Sequence, residues 1–442
     1  MTRSNRDDMD ESKKIGLLTS TAIVVGNMIA SGLFMLPATL GVYGGISLVG
    51  WLISGAGALC LAMVYSWLSK LKPDATGGPY AYTRVGMGDF AAFLVAWGYW
   101  ISVWCTNAAI AVAFVSYLTA FVPALGDNPI LSVSTGLAAI WLLTWINTKG
   151  VREAGIVQVI TTVLKLAPLL LITVGGFFYL NTDHFVPFNV SSESNLSAIT
   201  TCTTLTLFAF LGLETATIPS GSVKDPGKTI SQATIIGTLL STFIYVAGTV
   251  AVMGIIPPET LHQSKAPFAD AAAAIWGEWA RYLVAAGAVI STFGALNGWI
   301  LVQGQMPFAA AKDQLFPKMF ARENKNGTPV IGILVSSLLV SVLMSLNFSK
   351  SLADTYTFAL LLSTLTCLLA YLFSIVSYVM LEKNMNGWKG LSPGKLIVSI
   401  IAFVYSIWAV IGSGELIVFW GFVLLMAGLP FYAWMQLKKG AH

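Results

Sequence analysis

The sequence has few charged residues and few of the side chains that build metal or disulfide sites. Charged residues make up 10% of its 442 residues, whereas soluble domains carry about 25%. Its four cysteines form no Cys-x-x-Cys pair and all fall in apolar stretches, and its three histidines are scattered. These shortages exclude a soluble globular domain and a metal or disulfide framework. No cofactor is expected.

Motifs of other functional classes are also missing. The sequence contains no phosphate-cradling Gly-x-x-x-x-Gly-Lys-[Ser/Thr] loop, which argues against an ATP-driven pump. Its apolar stretches hold no histidine and no paired carboxylates, so we expect no enzyme. A channel would need a repeated filter sequence or a ring of charges, and neither occurs. The net charge of +4 lies in the polar loops, which argues against a nucleic-acid partner.

Long apolar stretches dominate the chain instead. Hydrophobic residues make up 56% of the sequence and the mean hydropathy is +0.76. An apolar helix of about 20 residues crosses ~30 Å of hydrocarbon. We therefore predict an all-α polytopic membrane protein with the lipid bilayer as its surroundings. Twelve spans are expected, at about 16–40, 44–69, 85–121, 129–148, 153–180, 195–218, 229–255, 279–311, 329–347, 353–382, 394–412 and 415–437.

The basic residues indicate how the spans are oriented. With the N-terminus inside, 20 of the 24 lysines and arginines lie on the inner side and only Arg281, Lys265 and Lys350 lie outside. Basic residues accumulate in cytoplasmic loops. We therefore expect both termini to be cytoplasmic. The remaining basic residue, Lys165, lies within the fifth span.

The first span is interrupted near its middle by small and polar residues. The interruption comprises Asn27, Met28, Ile29, Ala30, Ser31 and Gly32. Gly26, just before it, and Gly32 each weaken a helix by roughly 1 kcal/mol relative to alanine. A broken membrane helix is tolerated where it lines a cavity, and its free N–H and C=O groups can then meet a ligand. The alternative is a glycine-containing span that packs closely on a neighbour.

The sixth span carries a second interruption. In Thr206–Pro219 a glycine, a carboxylate and threonines stand where lipid-facing residues are expected. Spans one and six correspond if the chain consists of two five-span halves plus two spans. Paired interruptions at corresponding positions are typical of the central site of a secondary transporter.

Several segments resemble the amino acid–polyamine–organocation (APC) transporter superfamily, and within it the basic amino acid/polyamine antiporter branch with its arginine/agmatine antiporters. The matching segments are Gly26–Gly32, Gly77–Tyr82, Phe210–Glu214, Val223–Pro226, Gly294–Trp299 and Ala311–Pro317. The resemblance implies a five-plus-five inverted repeat (LeuT-like) with two extra C-terminal helices, broken helices 1 and 6, and commonly a homodimer.

This resemblance sets the expected domain boundaries. We expect a cytoplasmic tail over residues 1–15 and one transmembrane domain over residues 16–437. Within it, repeat one covers about 16–180, repeat two about 195–382, and the extra helices about 394–437.

An amino acid zwitterion needs separate partners for its carboxylate and its ammonium group. The N–H groups of a half-helix beginning near Ser31 and Gly32 suit a carboxylate, and the Ser31 hydroxyl adds a donor. Alternatively, Ser31 is a packing residue that bonds its own helix. Carbonyls for the ammonium group are expected near Met28, Ile29, Phe208 and Leu211. The resemblance implies the same use of these positions.

Aromatic and polar side chains complete the expected site. A Trp299 face can cover a cation, and the resemblance implies an aromatic stack there; at Phe208 the branch has Trp, so this chain departs from it. Both residues could instead serve plain packing. The resemblance places Asn107, with the backbone near Ser102 and Val103, around a distal substrate group, and Ser363 is a looser match. The alternative for Asn107 is a hydrogen bond to another helix.

Two ionisable residues lie within spans, where a charge costs at least ~2.5–3.5 kcal/mol. Glu214 is expected to gate the site or exchange a proton; its alternative is a structural hydrogen bond. The resemblance implies that Lys165 takes the place of a sodium ion, a departure from the arginine/agmatine pattern; its alternative is a lysine that snorkels to the interface.

The expected function is secondary amino acid transport by alternating access in the bacterial inner membrane. The preferred substrate is a cationic amino acid such as arginine, exchanged for agmatine, ornithine or a related amine. The alternative is a proton-linked or exchange transporter of neutral amino acids, in which Lys165 replaces a sodium ion.

Overall fold

The computed structural model describes residues 15–29, 32–75, 77–149, 169–218, 220, 223–347 and 349–439. Ala30, Ser31 and Lys165 lie outside the described residues, as does nearly all of the expected N-terminal tail. Strand pairing in the described chain is confined to one isolated parallel bridge between Ile15 and Val223. The described chain is otherwise built from helices and their connections.

The helices are numbered in chain order. They are α1 Leu17–Met28, α2 Gly32–Gly41, α3 Ser47–Leu71, α4 Pro79–Met87, α5 Asp89–Leu118, α6 Pro129–Lys149, α7 Leu169–Tyr179, α8 Asn195–Leu207, α9 Pro226–Ile255, α10 Pro267–Trp276, α11 Glu278–Lys312, α12 Val330–Leu346, α13 Leu352–Gly390, α14 Pro393–Ile411, α15 Glu415–Met426 and α16 Gly428–Lys439. Four-residue helices at Ala124–Asp127 and Pro258–Leu261 and short 3-10 turns join them.

Ten helical segments of the described chain are long and apolar enough to cross a membrane, and α7 and α12 are shorter apolar helices. Each of the twelve predicted spans overlaps one of these segments. The all-helical, multi-span membrane class predicted from the sequence is thus confirmed.

Two predicted span boundaries differ from the structure. The third span was expected from residue 85, but α4 ends at Met87 and a separate helix, α5, begins after Gly88, whose φ is 88°. The tenth span was expected to end at residue 382, but α13 continues to Gly390 with a kink at Gly387, where φ is 65°. In both cases a glycine with positive φ, which other residues adopt at a cost, changes the chain direction.

Local signals explain many helix starts. Proline occupies the first turn of α4, α9, α10 and α14, where its missing N–H would have no helical partner in any case. Ser194, Ser351 and Ser392 cap α8, α13 and α14 by accepting a backbone N–H three residues on. These caps fix where the spans begin.

The helix pairs α4–α5 and α10–α11 have the same form. In each, a short helix begins with proline and ends at a glycine with positive φ, and a long helix then begins with an acidic residue. The glycines are Gly88 (φ 88°, ψ −179°) and Gly277 (φ 86°, ψ −179°), followed by Asp89 and Glu278. The chain therefore repeats one local arrangement at two places far apart in sequence.

Helix packing divides the spans into two groups. The helices α1, α3, α8 and α9 pack together, and α5, α6, α11 and α12 form the second group. Helix α13 joins them, because it packs against α5 and also contacts α3. The two interrupted spans belong to the first group and face the second, which places their breaks inside the packed helices.

Candidate functional site

Both interrupted spans leave helical geometry at the positions that the sequence indicates. Helix α1 ends at Met28, and Ile29 has φ −76° and ψ 73° with its N–H donating to the Val25 carbonyl. Helix α8 ends at Leu207 and continues as one 3-10 turn, Phe208–Phe210. Leu211 is then extended (φ −61°, ψ 131°) and Gly212 has φ 105°.

The two interruptions contact each other through glycines. A Cβ atom added to Gly32, the first residue of α2, would lie 3.1 Å from the Ala209 Cβ and 3.2 Å from its Cα. A Cβ atom on Gly212 would lie 3.3 Å from the Asn27 Cβ. Contacts this short are tight, so both glycines permit a backbone approach that a larger residue would hinder. The described parts of the two breaks therefore form one structural unit.

Backbone polar groups of both spans surround this unit. The first N–H groups of α2, beginning at Gly32, have no helical partner because they open a helix. Among the described residues the Leu211 carbonyl has no hydrogen-bond partner, whereas the Phe208 carbonyl accepts the Leu211 N–H at 3.1 Å. The Phe208 carbonyl, which was expected to be free, thus already accepts one hydrogen bond. Backbone N–H donors and C=O acceptors nevertheless lie close together at the interruptions.

Aromatic residues flank the interruptions. The Trp299 Nε1 donates to the Asn27 carbonyl at 3.4 Å, so the indole of α11 contacts the end of α1. Phe208 meets Tyr356 of α13 edge to face, with ring centroids 6.2 Å apart. Phe208 and Trp299 are both buried. Each therefore joins an interruption to a helix outside it.

Glu214 is fully buried beyond the break in span six. Its Oε1 accepts the Tyr99 hydroxyl of α5 at 2.7 Å, and its Oε2 accepts the Tyr371 hydroxyl of α13 at 3.0 Å. Sequence reasoning missed both tyrosines, which lie in apolar spans rich in aromatic residues. The carboxyl group therefore connects the interrupted span to two helices, α5 and α13, that are distant from it in sequence.

A hydroxyl cluster connects α5 and α13. Ser363 Oγ lies 3.0 Å from Ser102 Oγ and 2.7 Å from Thr106 Oγ1, and it donates to the Ser102 carbonyl at 2.9 Å. Val103, the expected neighbour of a distal substrate group, is fully buried. The structure therefore brings Ser102 and Ser363 into contact. Thr106 was not predicted, and its only signal in the sequence is its position beside Asn107.

Asn107 bonds to another helix. Its Nδ2 donates to Oε1 of Gln303 on α11 at 2.7 Å, and both residues are fully buried. Its Oδ1 is buried and has no hydrogen-bond partner in the described chain. Gln303 was missed from the sequence, although it follows Trp299 by four residues and so lies on the same face of α11.

A polar cluster lies where α4 meets the end of α11. Asp313 accepts the Tyr80 hydroxyl at 3.1 Å and pairs with Arg84 at 3.2 Å, and Arg84 also pairs with Asp89 at 2.9 Å. The hydrogen bond to Asp89 raises the pKa of Arg84. Burial, reinforced by Asp313, raises the pKa of Tyr80. Arginine and tyrosine therefore both keep their protons here.

The chain resembles proteins of known family over nearly its whole length. A family model described as "Amino acid permease" matches residues 15–435. The cadaverine/lysine antiporter of Escherichia coli (strain K12) is 32% identical over 441 residues, which cover 98% of both chains. The arginine/ornithine antiporter of Pseudomonas aeruginosa is 31% identical over 422 residues, 92% of this chain and 87% of that one. The arginine/agmatine antiporter of Chlamydia pneumoniae is 30% identical over 445 residues, 97% and 91%.

These matches confirm the resemblance to APC transporters. The family model covers all the described spans except the last residues of α16. It also covers both interruptions, the glycine contacts between them and the buried carboxyl group of Glu214. A transporter, not an enzyme, is therefore established: the chain belongs to the amino acid permease family.

Proposed function

We propose that this chain is a secondary antiporter that exchanges a cationic amino acid, such as arginine, for agmatine, ornithine or a related amine by alternating access. The observation that carries the proposal is the contact between the two interruptions, with Gly32 against Ala209 and Gly212 against Asn27. Helix ends of opposite polarity meet there, as a zwitterion requires. The relatives named above are cadaverine/lysine, arginine/ornithine and arginine/agmatine antiporters, which supports a cationic substrate.

In this proposal the backbone binds the amino acid head group. The carboxylate is bound at the first turn of α2 by N–H groups near Ser31 and Gly32, a helix N-terminus that favours an anion. The ammonium group is bound by carbonyls near the ends of α1 and α8. The residues that supply this shell are Asn27, Met28, Ile29, Ala30, Ser31, Gly32, Phe208 and Leu211.

Side chains of other helices bind the distal part of the substrate. Trp299 and Phe208 enclose it, and a cation over the indole face gains ~0.5–2 kcal/mol. Ser102, Val103, Asn107 and Ser363 lie around its end. The contact of Trp299 with Asn27 supports this role, since it brings the indole to the interruption.

Glu214 serves as the gating or proton-exchanging group in this account. Its two tyrosine partners come from α5 and α13, so a change at this carboxyl group affects the contact between the interrupted span and both helices. Lys165 is proposed as a fixed positive charge in place of a sodium ion. No ATP is needed, because the gradient of one substrate drives the other.

The finer architecture is part of the proposal. Twelve crossings form a five-plus-five inverted repeat with two extra helices, over the boundaries given above, and the matched pairs α4–α5 and α10–α11 support that repeat. Both termini are cytoplasmic and the protein is a homodimer in the bacterial inner membrane. The excess of inner lysines and arginines supports the orientation.

Uptake into loaded liposomes tests the function. Purified protein is reconstituted into liposomes that contain arginine, ornithine, lysine, agmatine, leucine or no substrate, and uptake of labelled arginine, ornithine and lysine is measured. We expect saturable uptake of at least one label that depends on an internal cationic amino acid or amine.

Two results would decide against this proposal. Equal uptake into empty and loaded liposomes would exclude obligatory exchange. Leucine uptake without competition from any cationic amino acid would favour the neutral amino acid alternative and end the cationic assignment.

A further inference from the structure

Gln303 belongs to a chain of hydrogen bonds that joins three helices. Its Oε1 accepts Nδ2 of Asn107 from α5 at 2.7 Å. Its Nε2 donates to Ser337 Oγ at 2.8 Å and to the Ile333 carbonyl at 3.3 Å, both on α12. Gln303 is fully buried, and its amide is hydrogen-bonded to Asn107 on one side and to α12 on the other.

The Ile333 carbonyl fixes the direction of both amides. A carbonyl oxygen only accepts hydrogen bonds, so the Gln303 atom that faces it must be the Nε2 donor. The Oε1 acceptor then faces Asn107, which must present its Nδ2 donor in return. The nitrogen and oxygen of an amide are otherwise hard to tell apart, and here a backbone group settles which is which.

This fixed direction leaves the Asn107 Oδ1 as an unpaired acceptor. The atom is buried and has no hydrogen-bond partner in the described part of the chain. Buried acceptors are nearly always bonded. A group that satisfies Oδ1 must donate a hydrogen bond, as an ammonium, a guanidinium or an amide N–H does.

The pair lies close to the proposed head-group site. Gln303 follows Trp299 by one helical turn, a rise of about 5–6 Å, and Trp299 bonds to the Asn27 carbonyl at the interruption. The extended side chain of a basic amino acid covers such a distance. Ser363 donates its one proton to the Ser102 carbonyl, so the Ser102 and Thr106 hydroxyls donate to Ser363 and use their protons within the cluster.

Building on the proposed function, we propose that Gln303 is a positioning residue that sets substrate specificity through Asn107. It holds the Asn107 amide so that only Oδ1 is offered to the distal end of the substrate. The site thereby favours amino acids that end in a hydrogen-bond donor over those that end in a methyl group or a carbonyl oxygen. Gln303 itself does not touch the substrate.

Paired ligands test this role. The affinities of purified protein for lysine against norleucine, and for ornithine against norvaline, are compared, because each pair differs only in the distal ammonium group. In the Gln303→Met variant, of similar size but without an amide, we expect the affinity ratio of each pair to fall by about tenfold. Gln305→Met, the same change two residues along α11 at a partly exposed position, should leave the ratios unchanged.

A double variant separates positioning from a structural effect. Because Gln303 acts through Asn107, Gln303→Met combined with Asn107→Leu should have the same ratios as Asn107→Leu alone. Gln303→Ala replaces Gln303→Met if the latter does not elute as a folded protein. Ratios in the Gln303 variant equal to those of the unmodified protein, or effects that simply add in the double variant, would overturn the inference while leaving exchange intact. Failure of the unmodified protein to bind any cationic amino acid would overturn the proposed function, and this inference with it.

Discussion

The Tyr99 hydroxyl lies 2.7 Å from Oε1 of Glu214, although 115 positions separate the two residues in sequence. Tyr371 approaches the other carboxyl oxygen from α13. One acidic side chain thus ties the break in span six to two further helices. A protonated carboxyl group donates a hydrogen bond as well as accepting, so a change in the protonation of Glu214 changes its hydrogen bonds to the two tyrosines.

Glu214→Gln tests the proton role. Glutamine keeps the size of the side chain but cannot take up or release a proton, so we expect substrate binding to persist while the pH dependence of exchange flattens. The measurement is the rate of labelled exchange across a pH series. Glu415→Gln, at an exposed position at the start of α15, serves as the control. An unaltered pH profile in Glu214→Gln would assign Glu214 a purely structural hydrogen bond.

Gly212→Ala tests the contact between the interruptions. The added methyl group would lie 3.3 Å from the Asn27 Cβ at a φ of 105°, and the backbone strain alone costs about 1–3 kcal/mol. We expect a lower unfolding temperature and a large loss of exchange. Gly277→Ala is the matched control, because its φ is 86° but nothing lies within 4 Å of the added atom. Equal losses of exchange in both variants would show that strain, not the contact, is responsible.

Trp299→Leu tests the aromatic wall of the site. Losing a cation–aromatic contact of ~0.5–2 kcal/mol weakens binding about two- to thirtyfold. Binding of arginine, ornithine and lysine is measured by calorimetry. Trp279→Leu, on the same helix but 64% exposed, should bind as the unmodified protein does. Unchanged affinity for all three ligands in Trp299→Leu would remove this residue from the site.

Asp313→Asn tests the polar link between α4 and α11. Asparagine weakens the bonds to Tyr80 and Arg84, and we expect a loss of about 1–2 kcal/mol in stability. Asp89→Asn removes only the exposed ion pair to Arg84 and should cost less.

The link also has a defined pH behaviour. The pKa values of Arg84 and Tyr80 are both raised in the folded protein. The stability that these shifts provide is therefore complete below the unfolded pKa values, about 10 for tyrosine, and is lost only as the pH rises above them. The stability difference between Asp313→Asn and the unmodified protein should stay constant from about pH 6 to 9. A difference that changes within this range would assign its pH dependence to other groups.

Sequence reasoning located the spans and their interruptions because those depend on local chemistry. Gly32, Gly212 and Glu214 stand out in apolar segments whatever the fold. The partners of these residues depend on long-range packing: Ala209 against Gly32, or Tyr371 against Glu214, follow from how distant helices meet. Gln303 illustrates the same limit, since its polarity was visible but its pairing with Asn107 required the relative placement of α5 and α11.

The missed helix boundaries have a similar origin. Gly88 lies beside an apolar run that continues past it. Hydropathy therefore placed residues 85–87 in the same span as α5, although the backbone separates α4 from α5 at Gly88. The φ of Gly88 is 88°, and α4, which precedes it, packs against α5 and α13. At the corresponding glycine, Gly277, the expected span start at residue 279 lies within one residue of the first residue of α11, Glu278.

The most direct test of the central claim is a density map of the protein with a bound cationic amino acid. The account predicts ligand density between the two interruptions, with the carboxylate at the first turn of α2, the ammonium group near the Leu211 carbonyl and the distal group beside Trp299. Density elsewhere in the protein, with the interruptions still closed against each other at Gly32 and Ala209, would contradict it.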